Sequence, residues 1–362
     1  MSTTSRSSIF QKLSISYEKC TELIFSISAV FGISPIFFVN GKPRKSYFIA
    51  IYSIFFISIY IYVNISYVFS VRIDYAVPFH RNVFLVSYLL SLLQPVVYFC
   101  TNFLSFQRLS NIRQCLRTVD SSLQSFGISE DAHHGLLNGK LYLLLLLSKC
   151  SLLFIPKTAG ETKIFLLLNV IYLLGCGQCT ALGEELGSRL RRILHCLRSM
   201  GEQPDQTIGR AERLSLLCKA HHQLCSAIEE FSCCYGFQML NIVVIQFLSL
   251  TITIFSYVWA RLSFLKLCMG VLLHSSIPFF TIAIDCWTNV SEMSKEFNVL
   301  LYQIMIKDKS KALLDSEKLQ LHIAVKREVV LTACGLFNLD YTLLYSMVAA
   351  VSTYTVVMFQ FA

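Results

Sequence analysis

Apolar runs of membrane length alternate with polar, basic segments along the whole chain. Crossing a bilayer as a helix takes about 20 predominantly apolar residues. Seven runs reach or approach that length: 46–71, 82–105, 140–156, 164–183, 236–258, 263–285 and 339–361. An earlier apolar patch, 23–39, is interrupted by Gly32 and Pro35 and carries Ser26 and Ser28, so it reads as an interfacial or re-entrant segment leading into the first span. The pattern predicts an all-α membrane protein with seven transmembrane helices.

The connections alternate in length. Those after spans one, three and five are short (72–81, 157–163 and 259–262), and those after spans two, four and six are long and charged. Every long segment therefore shares one side with the N-terminus. Lys42, Arg44 and Lys45 before the first span favour a cytosolic N-terminus, although Arg72, Arg81, Lys157, Lys163 and Arg261 crowd the short loops. The thiols of the long segments (Cys115, Cys196, Cys218 and Cys225) suit a reducing compartment. The reading is N-terminus inside and C-terminus outside.

The long segments carry helical stripes of their own: Leu186, Leu190, Ile193, Leu194 and Leu197; Leu217, His221, Leu224 and Ile228; Phe297, Leu300, Leu301 and Ile304. Amphipathic helices of this kind extend the spans into the cytosol and bury their stripes in a bundle or a subunit interface. True loops are expected at 200–209 and 308–315. A further amphipathic helix is predicted from near Lys318 through 330–337, ended by Gly335 and Asn338. The chain divides into a cytosolic N-terminus with its interfacial segment (1–45), a six-helix region with long cytosolic helical loops (46–285), anchor helices (286–338) and a seventh helix (339–362). No internal repeat is evident, which argues against an inverted-repeat transporter.

Composition agrees. Hydrophobic residues make up 54% of the chain, too many for a soluble enzyme, and the net charge of +9 lies mainly between apolar spans. That placement matches anionic lipid headgroups better than nucleic acid. The first twenty residues lack a signal peptide's apolar core. Cys176 and Cys179 have a zinc-like spacing, but no second pair or histidine set accompanies them, so neither metal nor cofactor is expected. Cys233-Cys234, just before a span, is a candidate for palmitoylation. No His or Asp cluster within the spans could hold a catalytic metal.

The final span carries a thin polar stripe. Thr342, Ser346, Thr353 and Gln360 share one helical face, with Ala349 between them, while Leu344, Val348, Val351, Thr355 and Met358 fall opposite. One reading is a packed helix whose hydroxyls bond their own backbone. The other is a face turned toward water, favoured by an amide at the membrane's edge. The segment Thr332-Ala333-Cys334-Gly335-Leu336-Phe337, Asp340, and the ending Thr353-Tyr354, five residues, Gln360-Phe361 resemble the C-terminal signature of insect gustatory receptors. Phe31-Gly32-Ile33-Ser34-Pro35 also resembles the short element before the first span of that family.

The resemblance implies four copies around a central axis, with the last helix of each lining a cation pore. Thr342, Ser346, Thr353, Val356, Val357, Gln360 and Phe361 would line it, with Gln360 amides forming a ring beside an apolar collar that gates by dewetting. Asp340 would ring the inner mouth with negative charge or cap the helix. The resemblance also places ligand binding in the outer halves of spans two to six. There this sequence supplies Phe84, Tyr88, Phe154, Phe165, Asn169, Tyr172, Phe255, Trp259 and Phe264, an aromatic set suited to small apolar or heteroaromatic molecules.

Lys149, midway along the third span, borders that pocket or snorkels; a lysine so deep costs about 3 kcal/mol on an insertion scale. His274 reads as a ligand contact or a neutral core histidine. Sugar receptors of the family tend to carry an acid directly after Thr-Tyr. Here Thr355 stands there, which favours bitter compounds or contact pheromones. The implied partners are a small-molecule tastant, membrane lipids, permeant cations and other receptor subunits in a homotetramer or heterotetramer, at the plasma membrane of sensory neurons. A heptahelical G-protein-coupled receptor is the rival. Against it stand the inside N-terminus and the missing Asp-Arg-Tyr and Asn-Pro-x-x-Tyr elements.

Overall fold

The computed structural model describes residues 17–39, 41–70, 78–124, 126, 160–202, 209–259, 277–308, 313–325, 327 and 329–360. In chain order these form α1 (Tyr17–Val30), β1 (Ile36–Val39), β2 (Lys42–Lys45), α2 (Tyr47–Ser70), α3 (Pro78–Leu104), α4 (Phe106–Gln124), α5 (Gly160–Glu202), α6 (Arg210–Trp259), α7 (Ile277–Lys307), α8 (Glu317–Val325), β3 (Thr332–Ala333), β4 (Phe337–Asn338) and α9 (Tyr341–Gln360). Six of the seven expected spans coincide with or overlap α2, α3, α5, α6, α7 and α9. The third, 140–156, lies outside the described residues.

Three described helices are long and apolar enough to cross a membrane: Tyr47–Ser66, Arg210–Phe255 and Tyr341–Gln360. α2 shows why. Ala50, Ser53, Ile57, Tyr60 and Asn64 turn inward at helical spacing, yet Phe48, Ile51, Phe55 and Tyr62 stay exposed on the other side. A helix as apolar outside as inside has lipid for its solvent.

α5 and α6 run without a break from span into polar extension, and α6 packs against α3, α4, α5 and α9. The stripes in the extensions are buried. Leu186, Leu190, Ile193, Leu194 and Leu197 face α6, α7 and their neighbours, as do Leu217, His221, Leu224 and Ile228 on α6 and Phe297, Leu301 and Ile304 on α7. Aromatic side chains fill the centre, with Trp287, Phe231, Phe297 and Tyr235 fully enclosed.

Two segments differ from expectation. The patch 23–39 is shared between a helix and a strand: α1 packs on α5, and β1 pairs antiparallel with β2 in the register Ile36↔Lys45. Pro35 ends helical continuation, and alternation puts Lys42 and Arg44 on an exposed face. The helix predicted through 330–337 stops at Val325. The chain continues as the hairpin β3–β4, with Thr332↔Asn338 and Ala333↔Phe337 paired. Its turn places Cys334 and Gly335 at φ 53° and 73°, with the Leu336 amide donating to the Ala333 carbonyl at 3.0 Å. Two consecutive positive φ values define the hairpin-favouring type I′ turn, where glycine is at home.

A charged knot sits where α1, α4 and α5 meet. Arg113 bonds Glu185 at 2.5 Å, Thr21 donates to the other Glu185 oxygen at 3.2 Å, and Arg189 approaches Glu185 at 3.5 Å. Arg189 and Arg192 also hold Asp120, at 2.9 and 2.5 Å.

Beyond the membrane spans, His221 of α6 stacks on Phe297 with ring centroids 4.0 Å apart and meets His322 of α8 edge-on at 5.5 Å. Cys225 and Ser294 lie beside it, and the Arg327 guanidinium stands nearby against His222. Burial first, then the neighbouring His322, lowers the His221 pKa to about 3. The fold thus holds this imidazole neutral while the unfolded chain, near 6.5, can take up a proton. Its contribution is complete above that value and is lost progressively as pH falls from about 6.5 toward 3. Taking the purified protein from pH 7.5 to 5.5 is expected to cost about 1 kcal/mol through this group. A His221→Gln variant should show a flatter dependence of melting temperature on pH, and an equally steep one would refute the assignment.

Candidate functional site

α9 begins at a cap. The Asp340 carboxylate accepts from the Thr342 amide at 2.9 Å, so in the folded subunit this residue does an N-cap's work. Tyr341, in the first turn, donates to Asp285 of α7. Asn289 also donates to Asp285, at 3.1 Å, so one carboxylate ties the start of α9 to α7.

Along α9 the buried positions are Met347, Val351, Thr355 and Met358. Their spacing of three and four residues makes a narrow apolar face, which lies against α6. Two aromatic pairs fasten the helices: Phe247 with Tyr354 at 5.8 Å and Phe255 with Phe359 at 5.1 Å. Tyr354 thus packs against a neighbour. Phe255, a candidate pocket residue, is fully buried in the α6–α9 contact.

The polar stripe lies on the other side. Thr342, Ser346, Ala349, Thr353, Val356, Val357 and Gln360 are all exposed in the single subunit. Ser346 and Thr353 donate to the carbonyls four residues earlier, at 2.8 and 3.0 Å, as do Ser352 and Thr355. Each hydroxyl hydrogen is satisfied internally, and its oxygen remains free to accept. The Gln360 side chain, in the last described turn, is exposed. The face can therefore offer water or a cation a column of acceptor oxygens at no cost to the helix.

The hairpin connects α9 to the anchor bundle. Ser232 of α6 donates to the Thr332 carbonyl at 3.2 Å and accepts from the Thr332 amide at 3.3 Å. Gly236, one turn further on, leaves room for the hairpin tip: a Cβ there would lie 3.0 Å from the Cys334 nitrogen. Just upstream, Arg327 binds Glu229 at 2.9 Å and Ser226 at 3.0 Å, while Asn298 of α7 holds the Arg327 carbonyl at 3.2 Å. The sequence reading missed this latch, although Cys334-Gly335 between β-capable residues was its visible signal.

Of the expected pocket residues, Tyr172 is buried on α5, and its hydroxyl has no hydrogen-bond partner. Asn169 sits half-buried one turn earlier on the same face. Phe84, Tyr88, Phe165 and Trp259 fall where only the helix backbone is described. Lys149, Phe154, Phe264, His274 and Phe361 lie outside the described residues. No group of His, Cys, Asp or Glu suited to a metal ion occurs among the described residues.

Long helices running from span to polar anchor, closed by an apolar helix that packs along one narrow face and leaves the rest open, define a polytopic membrane protein. The chain belongs to the family described as 7tm Chemosensory receptor, whose model matches residues 21–362. Among solved structures it is similar to the insect olfactory receptor OR5 from Machilis hrabei, with 16% identity, a TM-score of 0.58, and coverage of 94% of this chain and 97% of that one. The same receptor in complex with eugenol gives 16% identity and a TM-score of 0.59, covering 95% of this chain and 98% of that chain. At this identity the likeness establishes a shared all-α membrane fold. No curated protein matches the chain in sequence.

Proposed function

We propose that this chemosensory receptor is a gustatory receptor acting as a ligand-gated, nonselective cation channel. The observation that carries the reading is the division of α9 into a packed apolar face and an exposed stripe of Thr342, Ser346, Thr353 and Gln360. Four copies around an axis would turn these stripes inward, with Val356, Val357 and Phe361 as the apolar collar and Gln360 as a ring of amides. Amide and hydroxyl oxygens replace part of a cation's water without sorting strongly by size, which fits weak selectivity. Asp340 caps its helix and would add negative charge at the inner mouth.

The ligand belongs to the small, largely apolar or heteroaromatic class. The complex of the similar OR5 receptor with eugenol supports that class, as does the aromatic set Phe84, Tyr88, Phe154, Phe165, Tyr172, Trp259 and Phe264, with Asn169, Lys149 and His274 as polar handles. Thr355 after Thr353-Tyr354 favours bitter compounds or contact pheromones over sugars. Gating follows if ligand binds the open arrangement more tightly than the closed one.

Expressed in cells and screened against aromatic tastants, the receptor is expected to give cation currents without G-protein signalling. Gln360→Glu should raise divalent over monovalent permeability several-fold, and Gln360→Ala should change it in a different way. Unchanged permeability in both would remove Gln360 from the pore. Epitope tags read in intact cells should find the C-terminus outside and the N-terminus hidden; the reverse would favour the G-protein-coupled alternative.

A further inference from the structure

We propose that Asn102, Gln178 and Gln238 hold a bound water molecule that joins α3, α5 and α6 in the protein core. All three amides are completely buried. They meet at one atom: the Gln178 Oε1 accepts from Asn102 Nδ2 at 3.0 Å and from Gln238 Nε2 at 3.5 Å.

The orientation of each amide is fixed by backbone. Asn102 Nδ2 also donates to the carbonyls of Tyr98 at 2.8 Å and Ile33 at 3.3 Å, so its oxygen cannot take that place. Gln238 Nε2 donates to the Gly175 carbonyl at 2.9 Å, which fixes it likewise. Both neighbours present N–H groups to Gln178, so Gln178 must answer with its oxygen.

Three amide atoms remain: Asn102 Oδ1, Gln238 Oε1 and Gln178 Nε2 are buried without partners, as is the hydroxyl of Tyr98, whose ring stands against Gly175. The amide atoms are two acceptors and one donor. Oxygen and nitrogen of one amide are about 2 Å apart, so all three orphans lie within an amide's width of the atoms already joined. A water molecule has two protons to give and lone pairs to receive, and buried waters typically make about three hydrogen bonds. It can donate to Asn102 and Gln238 and accept from Gln178, completing the set. A cation would satisfy the two oxygens but meet the Gln178 N–H groups head-on, with no carboxylate to neutralise it.

The inference concerns the core where three helices and the 30–35 turn meet, and it is independent of the ligand reading. The decisive experiment is a density map of the full-length receptor in lipid nanodiscs, at a resolution that shows internal waters elsewhere in the protein. The expected result is one isolated peak about 3 Å from Asn102 Oδ1, Gln238 Oε1 and Gln178 Nε2. A map with no peak there overturns the proposal, as does one in which the three atoms pair directly with protein groups.

Hydroxyl-radical footprinting of the same protein supplies a second readout. Tyr98 has no exposed surface, yet its carbonyl accepts from Asn102 and its ring stands against Gly175, whose carbonyl Gln238 holds; radiolysis of a bound water should label it several-fold above Phe231, which is equally buried. Equal labelling of the two counts against the water. Gln178→Leu should reduce the Tyr98 label toward the Phe231 level, and an undiminished label would likewise refute the site.

Discussion

Glu185→Ala is expected to destabilise the receptor by about 3–5 kcal/mol, the usual result of removing one partner from a buried ion pair. The Glu185 side chain has no exposed surface and that of Arg113 only 3%. Without the carboxylate, Arg113 keeps a buried charge whose nearest remaining acid, Glu18, is 3.8 Å away and partly exposed. Phe38 beneath the guanidinium, 4.8 Å from its centroid, offers a weaker cation–π contact. Thr21 and Arg189 lose a partner at the same time. The measurement is the melting temperature of purified protein, together with the amount of intact receptor extracted from membranes. The double variant Arg113→Leu/Glu185→Leu should recover much of the loss, because no unpaired charge is then left inside. If Glu185→Ala melts like the unmodified protein, the pair is not buried as described.

Gly175→Val is expected to cost about 3 kcal/mol or more, at the upper end of overpacking penalties. A Cβ at residue 175 would stand 2.3 and 2.4 Å from ring atoms of Tyr98. That ring is wholly enclosed, so it cannot swing aside into solvent as a surface side chain would. Paired substitutions provide the check. Tyr98→Ala is itself destabilising through the cavity it leaves, but Gly175→Val added to it should lower the melting temperature little or raise it. Additive losses would mean that the two residues are not in contact.

Much of this architecture was legible because membrane solvation leaves a coarse mark. Runs of apolar residues reported the spans, and the repeat of Leu186, Leu190, Ile193 and Leu197 reported the buried face of an extension. The stripe on α9 was legible too, since helical periodicity relates residues a turn apart. Periodicity is silent about what lies across a contact. Depth alone suggested Phe255 as a pocket aromatic; its contact with Phe359, more than a hundred positions away, left no mark in the sequence pattern. The Glu185 knot left no local trace either, since Thr21, Arg113 and Glu185 come from three distant helices. The β3–β4 hairpin was misread for a different reason. Two-residue strands carry too little alternation to compete with a helical pattern, and their stability comes from Ser232 and Gly236 on another element. Asp340 was readable both as a cap and as a pore charge, and the folded chain realises the cap.

α6 is 50 residues of unbroken helix with no proline among them, about 75 Å from end to end. A shaft of that kind has no proline at which to kink sharply. It can tilt or turn as a whole, but it cannot stretch. The Gly175 carbonyl and the Gln178 amide grip it near mid-length at Gln238, the hairpin is fastened beside that point, and α9 leans on the far half through Phe247 and Phe255. A lever with its fulcrum near the middle reverses direction. Were α6 to pivot about that point, a small sideways push on one arm would emerge at the other as an opposite swing.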